Sequence, residues 1–399
     1  VMSTGVITIP AMRRAGFTPE KAGAIEAVAS TGGQIMPPVL GAAAFLMAEF
    51  LQMPYHQIIL AALLPATFYF YAVYLQISLM AERDNLGAGD DSRAKPWSVI
   101  LPHSGVIIVP MGVLLGALFW FSAPPGKAVV WASLVLMTIG LFNLTGVRSI
   151  TLRDIGRALV AAGEASTQIL LVCAVAGMII GLLSSSGLSF GLSFFLLQLG
   201  KGSVLLLLLL TACVSILLGM GLPTTGVYLL LATLAAPPLI QLGIGALEAH
   251  FFVFYFGLLS MITPPVALAA FAAASVAGTR AMPTAVESVR FGWVAFILPF
   301  IFVYQPAMLM QGAWLDVIWV AVSTMVAIPL ITAAMLGFGR RVLNKEERLM
   351  VMILGIGALM PHGTWVMSSI TLVASILGVA TIVLHMAACR TGPVNGAGK

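Results

Sequence analysis

Residues 219–226 read GMGLPTTG and lie between two strongly apolar stretches, residues 204–218 and 227–239. Glycine and proline do not sustain a helix, so the backbone is expected to open between these stretches. Backbone polar groups freed in this way inside a bilayer are tolerated only where they line a cavity or are buried in protein. Because Thr224 and Thr225 add hydroxyl groups to the opening, the segment indicates a site for an ion or a small polar solute.

A second interruption follows at residues 260–265, which read SMITPP within another apolar run. One break alone would be interpreted as an ordinary kink, since glycine and proline are commoner in membrane helices than in soluble ones. The recurrence of the pattern instead predicts that two breaks contribute to one site.

Composition defines the environment of these breaks. The chain is 60% hydrophobic and only 8% charged, with a mean hydropathy of +1.07, whereas about a quarter of the residues of a soluble domain are charged. We therefore expect an all-α polytopic protein of the lipid bilayer. The net charge of +5 does not indicate a nucleic-acid partner, because the basic residues lie in short loops. Cys173, Cys213 and Cys389 are too widely spaced for a disulfide or metal pattern.

The two breaks belong to a repeat. Thr-Gly-Val at residues 4–6 precedes Pro-Pro-Val at residues 37–39, and the same tripeptides recur at residues 225–227 and 264–266. The threonine and the first proline are 33 residues apart in the first copy and 39 in the second. A duplicated membrane protein with interrupted segments at matching positions is typical of a secondary transporter.

The distribution of basic residues predicts the orientation of the repeats. If the segment around Gly219 enters and leaves on one side while both Pro-Pro segments cross, five loops share a side. These loops are residues 11–21, 81–96, 147–157, 279–290 and 338–348. They hold fifteen Lys or Arg residues, whereas the opposite loops hold Lys127 and Lys201. The first set is therefore predicted to be cytoplasmic, and the two repeats then run through the membrane in opposite directions.

The sequence contains no enzymatic constellation. G-x-x-x-x-G-K-[ST] and H-E-x-x-H motifs are missing. G-x-S-x-G occurs once, at residues 187–191, but there it adjoins the short apolar segment 189–199, expected as an interfacial arm, and not a strand-to-helix turn, so the chain is predicted not to be an enzyme. Glu26 and Glu248 lie near the broken segments and are either functional or interfacial. Neither break itself contains a carboxylate, and Na⁺ can be held by carbonyl and hydroxyl oxygens at helix ends, which favours sodium over proton coupling. Helix N-termini that begin at a break also fit an anionic solute.

Three longer stretches resemble a known family. They read IPAMRRAGFTPEKAGAIEAVASTGGQIMPPVLGAAAF, GMGLPTTGVYLLLATLAAPPL and LLSMITPPVALAAFAAASVAG, and they are similar to the large permease subunit of tripartite ATP-independent periplasmic (TRAP) transporters. The resemblance covers most of residues 1–310. It is closest to the branch with fused large and small membrane subunits and a TAXI-type solute receptor. It implies inverted repeats with re-entrant hairpins and discontinuous helices, and an elevator moving in a scaffold, as in the ion-transporter superfamily.

The resemblance divides the chain into four parts. Residues 1–80 are the first repeat, with the outgoing limb of hairpin 1, a broken helix and a scaffold span, and residues 81–202 are connecting scaffold and arm helices. Residues 203–310 are the second repeat, with hairpin 2, a broken helix and a scaffold span, and residues 311–399 are extra C-terminal membrane helices. The ingoing limb of hairpin 1 is not found. We therefore expect an N-terminally incomplete chain, whose small subunit is fused in the missing part.

These features predict a sodium-coupled, receptor-dependent importer of organic anions (carboxylates) in the cytoplasmic membrane of a bacterium or archaeon. The resemblance implies that Na⁺ binds where each hairpin tip meets its unwound helix. The residues expected around the ion are Ser3, Gly5, Thr31, Gly32, Gly33, Pro37, Gly219, Gly221, Gly226, Ser260, Thr263 and Pro264. Those expected around the solute are Thr4, Gln34, Thr224 and Thr225. The alternative is a receptor-independent sodium/dicarboxylate symporter of the related ion-transporter type.

Overall fold

The computed structural model of the protein describes residues 1–38, 40–87, 97–121, 123–142, 151–199, 203–339, 341–361 and 369–381. Across these residues the regular elements are helices, as predicted for an all-α polytopic membrane protein. Parts of the predicted loops 81–96, 147–157 and 338–348, and of the last predicted span, lie outside the described residues.

Four groups of helices follow one another along the chain. The first is α1 (Gly5–Arg14), α2 (Pro19–Gly32), α3 (Ala42–Leu51) and α4 (Tyr55–Arg83). The second is α5 (Trp97–Phe119), α6 (Pro125–Leu141), α7 (Leu152–Ser185) and α8 (Leu188–Leu199). The third is α9 (Val204–Gly219), α10 (Thr224–Leu234), α11 (Ala236–Gln241), α12 (Ala246–Leu259), α13 (Leu268–Ala277), α14 (Ala281–Phe291), α15 (Trp293–Tyr304) and a 3₁₀ turn (Pro306–Leu309). The last is α16 (Trp314–Leu336), α17 (Lys345–Ala358) and α18 (Ser369–Thr381).

Few of the described helices cross a bilayer in one piece. A crossing needs about 20 apolar residues, and by length and composition three helical segments qualify: α4, α16 and Thr224–Gln241, which joins α10 and α11. The pair α14 and α15, bent by 41°, raises the number to four if it counts as one span. Among the shorter apolar helices, α3, α9, α12 and α13 flank the interruptions that the sequence pattern predicts.

In both repeats the Pro-Pro segment coincides with helix ends, and these interruptions are called the first break (residues 33–41) and the second break (residues 260–267). In the first repeat α2 ends at Gly32 and α3 begins at Ala42, and in the second α12 ends at Leu259 and α13 begins at Leu268. The peptide bonds Pro37–Pro38 and Pro264–Pro265, one in each break, are cis. Each Pro-Pro segment therefore lies in a nonhelical stretch between two short apolar helices.

The two interrupted helices lie side by side and run in opposite directions. At one end the start of α2 meets the chain after α13, since the Thr279 hydroxyl donates to Glu20 Oε1 at 2.6 Å. At the other end the last turn of α3 meets α12, where the Phe50 and His250 ring centroids are 6.2 Å apart. The start of each interrupted helix is thus next to the end of the other.

Residues 279–290, predicted as a loop, instead form most of α14. The prediction was wrong because one face of this segment packs in the interior: Thr284, Ala285, Ser288 and Phe291 are buried. That face packs against α2, and a methyl group added at Gly23 would lie 3.1 Å from Thr284 Cγ2. Residues 152–157, also predicted as loop, form the first turns of α7.

A polar cluster holds the α2 and α4 ends together outside the apolar core. Lys21 Nζ lies 3.0 Å from Asp84 Oδ2, and Arg83 Nε lies 2.8 Å from Asp84 Oδ1. The hydrogen bond from Arg83, and after it the bond and charge of Lys21, hold the pKa of Asp84 below its ordinary value. Lys21 and Arg83 both belong to loops predicted to be cytoplasmic, so this end of the bundle carries the basic surface.

The C-terminal helices pack on the repeat bundle. α16 lies along α4 and the 3₁₀ turn, and its Val317 and Val320 are buried in the main core. Leu330 of α16 packs with Val351 of α17, and a methyl group added at Gly378 in α18 would lie 2.6 Å from Leu330 Cδ1. α16 therefore shares the apolar interior with the first repeat, and α17 and α18 pack on α16.

Close packing of α12 against α10 gives a first prediction. A methyl group added at Gly257 would lie 2.6 Å from Val227 Cγ1 and 2.9 Å from Leu231 Cδ1, both of which belong to buried residues. Overpacking of a filled interior costs about 1–3 kcal/mol. We expect Gly257→Ala to lower the midpoint of thermal unfolding of the purified protein in detergent. Gly112→Ala is the control, because its methyl group meets nothing within 4 Å. Equal midpoints for the two variants would contradict this packing.

Candidate functional site

The junction between α9 and α10 contacts the break after α12. α9 and α10 pack against each other and against α12, which is the arrangement of a helical hairpin. A methyl group added at Gly219 would lie 2.8 Å from Ser260 Oγ and 3.1 Å from the Gly257 carbonyl oxygen. The structure thus brings together Gly219 and Ser260, two residues predicted for the same ion site.

Hydroxyl groups satisfy backbone carbonyls at the second break. Ser260 Oγ, which is buried, donates to the Gly257 carbonyl at 2.6 Å, and Thr263 Oγ1 donates to the Leu259 carbonyl at 2.6 Å. A hydroxyl that donates its proton keeps its oxygen lone pairs. The oxygens of Ser260 and Thr263 therefore retain the capacity to ligate a cation, and Pro264 follows them directly, half-buried.

The first break shows the same use of hydroxyl groups. Thr31 Oγ1 is buried and donates to the Ala27 carbonyl at 2.8 Å, and Tyr69 of α4 donates to the Val28 carbonyl at 2.7 Å. A methyl group added at Gly32 would lie 2.3 Å from the Tyr69 ring. Packing against Tyr69 is therefore a structural reason for glycine at position 32, besides the predicted role at the ion.

The rest of the first break is a short loop. The Gly41 N–H donates to the Gln34 carbonyl at 2.9 Å, which closes the loop around Pro37. Gly33 is exposed, and Gln34 and Pro37 are half-buried. Backbone groups of this loop are thus partly accessible rather than sealed in the core.

The two breaks approach each other through Gly292, which separates α14 from α15. A methyl group added at Gly292 would lie 2.9 Å from Ile262 Cδ1, in the second break, and 3.7 Å from Val28 Cγ2, in the last turns of α2. Both Val28 and Ile262 are fully buried. Side chains at or next to the two breaks therefore meet at this glycine.

Four helices begin at the breaks or hairpin tips without a side-chain cap. They are α1 after Thr4, α3 after Gly41, α10 after Pro223 and α13 after Ala267, and the structure gives none of these four starts a capping hydrogen bond from a side chain. An uncapped helix N-terminus presents N–H groups and the positive end of the helix dipole. An N-terminus of this kind attracts an anion, but α4, α12, α14, α15 and α16 also begin without a side-chain cap, so the feature is not specific to the breaks.

Thr224 and Thr225 form the first turn of α10 and are half-buried. Gly221, in the preceding tip, has a φ of +80°, a conformation that glycine adopts without strain. A cavity of about 220 Å³ lies beside this tip and is lined by Pro223, Gly226 and apolar residues of α7 and α10. Gly226, predicted for the ion, thus faces an apolar cavity in this structure.

A larger cavity, of about 810 Å³, lies away from the breaks. It is bounded by the end of α3, the start of α4 and the turn between α5 and α6, and Glu49 and His56 line it. None of the residues predicted for the ion or the solute lines this cavity. Its size alone therefore does not connect it with the predicted site.

The start of α1 meets α2 through a carboxylate. The Thr4 hydroxyl donates to Glu26 Oε1, the Ser30 hydroxyl donates to the same oxygen at 2.9 Å, and the Thr8 hydroxyl donates to Oε2 at 2.5 Å. Gly5 permits this approach, since a methyl group there would lie 3.3 Å from Glu26 Cγ. Ser3, one residue before Thr4, is exposed.

Sequence reasoning did not identify Thr8 and Ser30 as partners of Glu26. A signal for them is nevertheless present, because Thr4 and Thr8 are four residues apart on α1, and Glu26 and Ser30 are four residues apart on α2. Residues four apart lie on one face of a helix. Two such pairs of polar residues on consecutive helices indicate a contact between those faces.

Comparison with known proteins gives two findings. Residues 1–317 match the family model described as "Tripartite ATP-independent periplasmic transporter, DctM component". The chain is also similar to a Pseudomonas aeruginosa protein named "C4-dicarboxylate TRAP transporter large permease protein DctM". The two are 22% identical over 310 residues, which is 77% of this chain and 70% of the relative.

The contact of the hairpin tip with the second break gives a second prediction. We expect Gly219→Ala to destabilise the protein, because its methyl group would press on Ser260 Oγ and on the Gly257 carbonyl. Ser260→Ala removes the hydroxyl, so the double variant should lose less stability than the two single changes added together. The measurement is the midpoint of thermal unfolding in detergent for the four proteins. Strict additivity would show that Gly219 and Ser260 are not in contact.

Proposed function

We infer the function of this chain from its family: it belongs to the TRAP transporters as a large permease subunit. We propose that it imports an organic anion together with Na⁺. Membership implies a multi-pass protein of the cytoplasmic membrane that works with a periplasmic solute receptor and a small membrane subunit. The observation that carries the proposal is the contact of a helical tip, at Gly219, with a break in an interrupted helix, at Ser260.

We propose that transport is of the elevator type. Three features support this mechanism: helices α9 and α10 form a hairpin on α12, α1 packs on α2 in the corresponding way, and the interrupted helices are antiparallel. Inverted repeats of this kind place a solute near the middle of the membrane, between two parts that move relative to each other. α4, which crosses in one piece, and α16, which packs on it, then belong to the scaffold.

Sodium coupling is supported by the chemistry of the breaks. They offer hydroxyl oxygens (Thr31, Ser260 and Thr263) and backbone carbonyls at helix C-termini, and hard cations prefer such oxygen ligands. Among the described residues no group of three or more His, Cys, Asp or Glu residues is placed to hold a metal ion. The oxygen-only breaks thus suit an alkali ion, and their glycines allow the backbone to approach it closely.

The proposal that the solute is an anion is supported by the N-termini of four helices at the breaks and tips, because free N–H groups and the helix dipole attract negative charge there. The relative from Pseudomonas aeruginosa is named for C4-dicarboxylates, and we propose a carboxylate of this class as solute, with Thr4, Gln34, Thr224 and Thr225 around it. The resemblance in sequence further suggests a TAXI-type receptor and a fused small subunit. A receptor-independent sodium/dicarboxylate symporter is the alternative, and it differs in needing no periplasmic protein.

Uptake by the full-length permease in proteoliposomes, with and without its receptor, tests the proposal. We expect uptake of a labelled C4-dicarboxylate to require the receptor and an inward Na⁺ gradient. Thr225→Ala should reduce the initial rate by about tenfold, which corresponds to the loss of one hydrogen bond of about 1.4 kcal/mol. Thr138→Ala is the matched control, because this threonine lies on the exposed face of α6 and donates to the Leu134 carbonyl.

Each result has a distinct meaning. Uptake that persists without a receptor would favour the symporter alternative. Uptake driven only by a proton gradient would contradict sodium coupling. Equal rates for Thr225→Ala and Thr138→Ala would show that the first turn of α10 does not bind the solute.

A further inference from the structure

Glu26 is a buried carboxylate within an apolar helix. Only 5% of its surface is exposed, and its neighbours in α2 from Ala22 to Val28 are buried as well. Its two oxygens accept hydrogen bonds from three hydroxyls, those of Thr4, Thr8 and Ser30. Hydroxyl donors of this kind stabilise a carboxylate, but they do not remove its charge.

No ion pair within the described part of the chain neutralises Glu26. The helices packed against α2 are α1, α4, α13 and α14. Their charged or titratable side chains are Arg13, Arg14, Tyr55, His56, Tyr69, Tyr71, Tyr74, Glu82, Arg83, Glu287 and Arg290. None of these forms an ion pair with Glu26, and the amino group of Val1 acts on it only from beyond ion-pair distance.

Three of these cations have other partners. Arg13 donates to the Ala277 carbonyl, Arg83 pairs with Asp84, and Arg290 pairs with Glu287. The hydroxyl groups stabilise the ionised carboxylate without supplying a countercharge. A cation that enters from solution supplies that countercharge, and five side-chain oxygens are already gathered to receive it.

The second repeat has no equivalent carboxylate. When the repeats are aligned on Thr-Gly-Val and Pro-Pro-Val, Val253 stands in place of Glu26, Leu229 in place of Thr8 and Gly257 in place of Ser30. The matching helix contact is apolar, with Val227 and Leu231 against Gly257. The carboxylate is therefore not required by the helix packing that the repeats share.

We propose that Glu26, with the hydroxyls of Thr4, Thr8 and Ser30, is a binding site for a monovalent cation, Na⁺ or H⁺, that is transported with the solute. Either cation neutralises the carboxylate in the same place. Because Thr4 and Thr8 belong to α1 and Glu26 and Ser30 to α2, occupancy of the site is coupled to the contact between the two helices. The inference rests on the proposed ion-coupled import, and it adds a charged site in the first repeat only.

The test compares Glu26→Gln with the wild type in the full-length permease, reconstituted with its receptor. Uptake is measured under an imposed Na⁺ gradient alone and under an imposed proton gradient alone. Solute exchange without any gradient is measured beside it. We expect Glu26→Gln to lose gradient-driven uptake by at least about tenfold, since an intramembrane carboxylate of this kind carries the coupling. Exchange should be kept, because it needs no net movement of the cation.

Glu20→Gln is the matched control. It removes a carboxylate from the same helix, where Glu20 is half-buried and bonded to Thr279, and it should leave gradient-driven uptake unchanged. A second readout is independent of transport. The unfolding temperature is measured as NaCl is added, with choline chloride as the salt control, because a cation that binds the folded state raises this temperature. If Na⁺ is the ligand, this rise should be reduced in Glu26→Gln and kept in Glu20→Gln.

The results separate this inference from the proposed sodium coupling. If the wild type is driven by protons alone and Glu26→Gln loses that drive, sodium coupling is wrong while the site at Glu26 stands. If Glu26→Gln keeps the wild-type ion dependence, the inference is overturned, whichever ion drives the wild type. Loss of exchange together with uptake, with no change in NaCl stabilisation, would also overturn it, since Glu26 would then have a structural role only.

Discussion

An interrupted helix in a bilayer must find partners for its backbone inside the protein, because lipid provides no hydrogen bonds. This constraint explains much of the arrangement around both breaks. Carbonyls at the ends of α2 and α12 accept hydrogen bonds from Thr31 and Thr263, one turn further along, and Tyr69 from α4 supplies another donor. The same requirement explains why hairpin tips pack against the breaks, since both leave helix ends in the apolar interior. A binding site for polar solutes follows where such ends are incompletely satisfied.

The repeats interlock rather than fold as separate halves. α13, from the second repeat, packs along α2 of the first, and α10 packs on α3 as well as on α12. Each interrupted helix is thus in contact with helices of both repeats. The helices that begin at the two tips also contact the opposite repeat, α1 packing on α13 and α10 on α3.

The sequence pattern predicted the helix breaks, the repeat and the span at α16, because glycine, proline and long apolar runs act locally. It did not predict α14, whose segment resembles a loop in composition and is helical because α2 covers its small-residue face. Nor did it predict the partners of Glu26, since hydrogen bonds between α1 and α2 depend on how these helices pack. Whether Na⁺ and the solute bind the predicted residues stays a prediction, as ligand binding depends on fine backbone placement that local patterns do not specify.

The C-terminal helices begin near residue 317, where the family match ends, yet they bury side chains of the shared bundle. Val317 and Val320 fill the interior beside α4, and Gln305 Nε2 donates to the Met360 carbonyl at 3.1 Å. A protein shortened to the matched region would expose to lipid or water a helix face that is now dry and closely packed. The region that matches the family and the helices that follow it are therefore one packed unit in this protein.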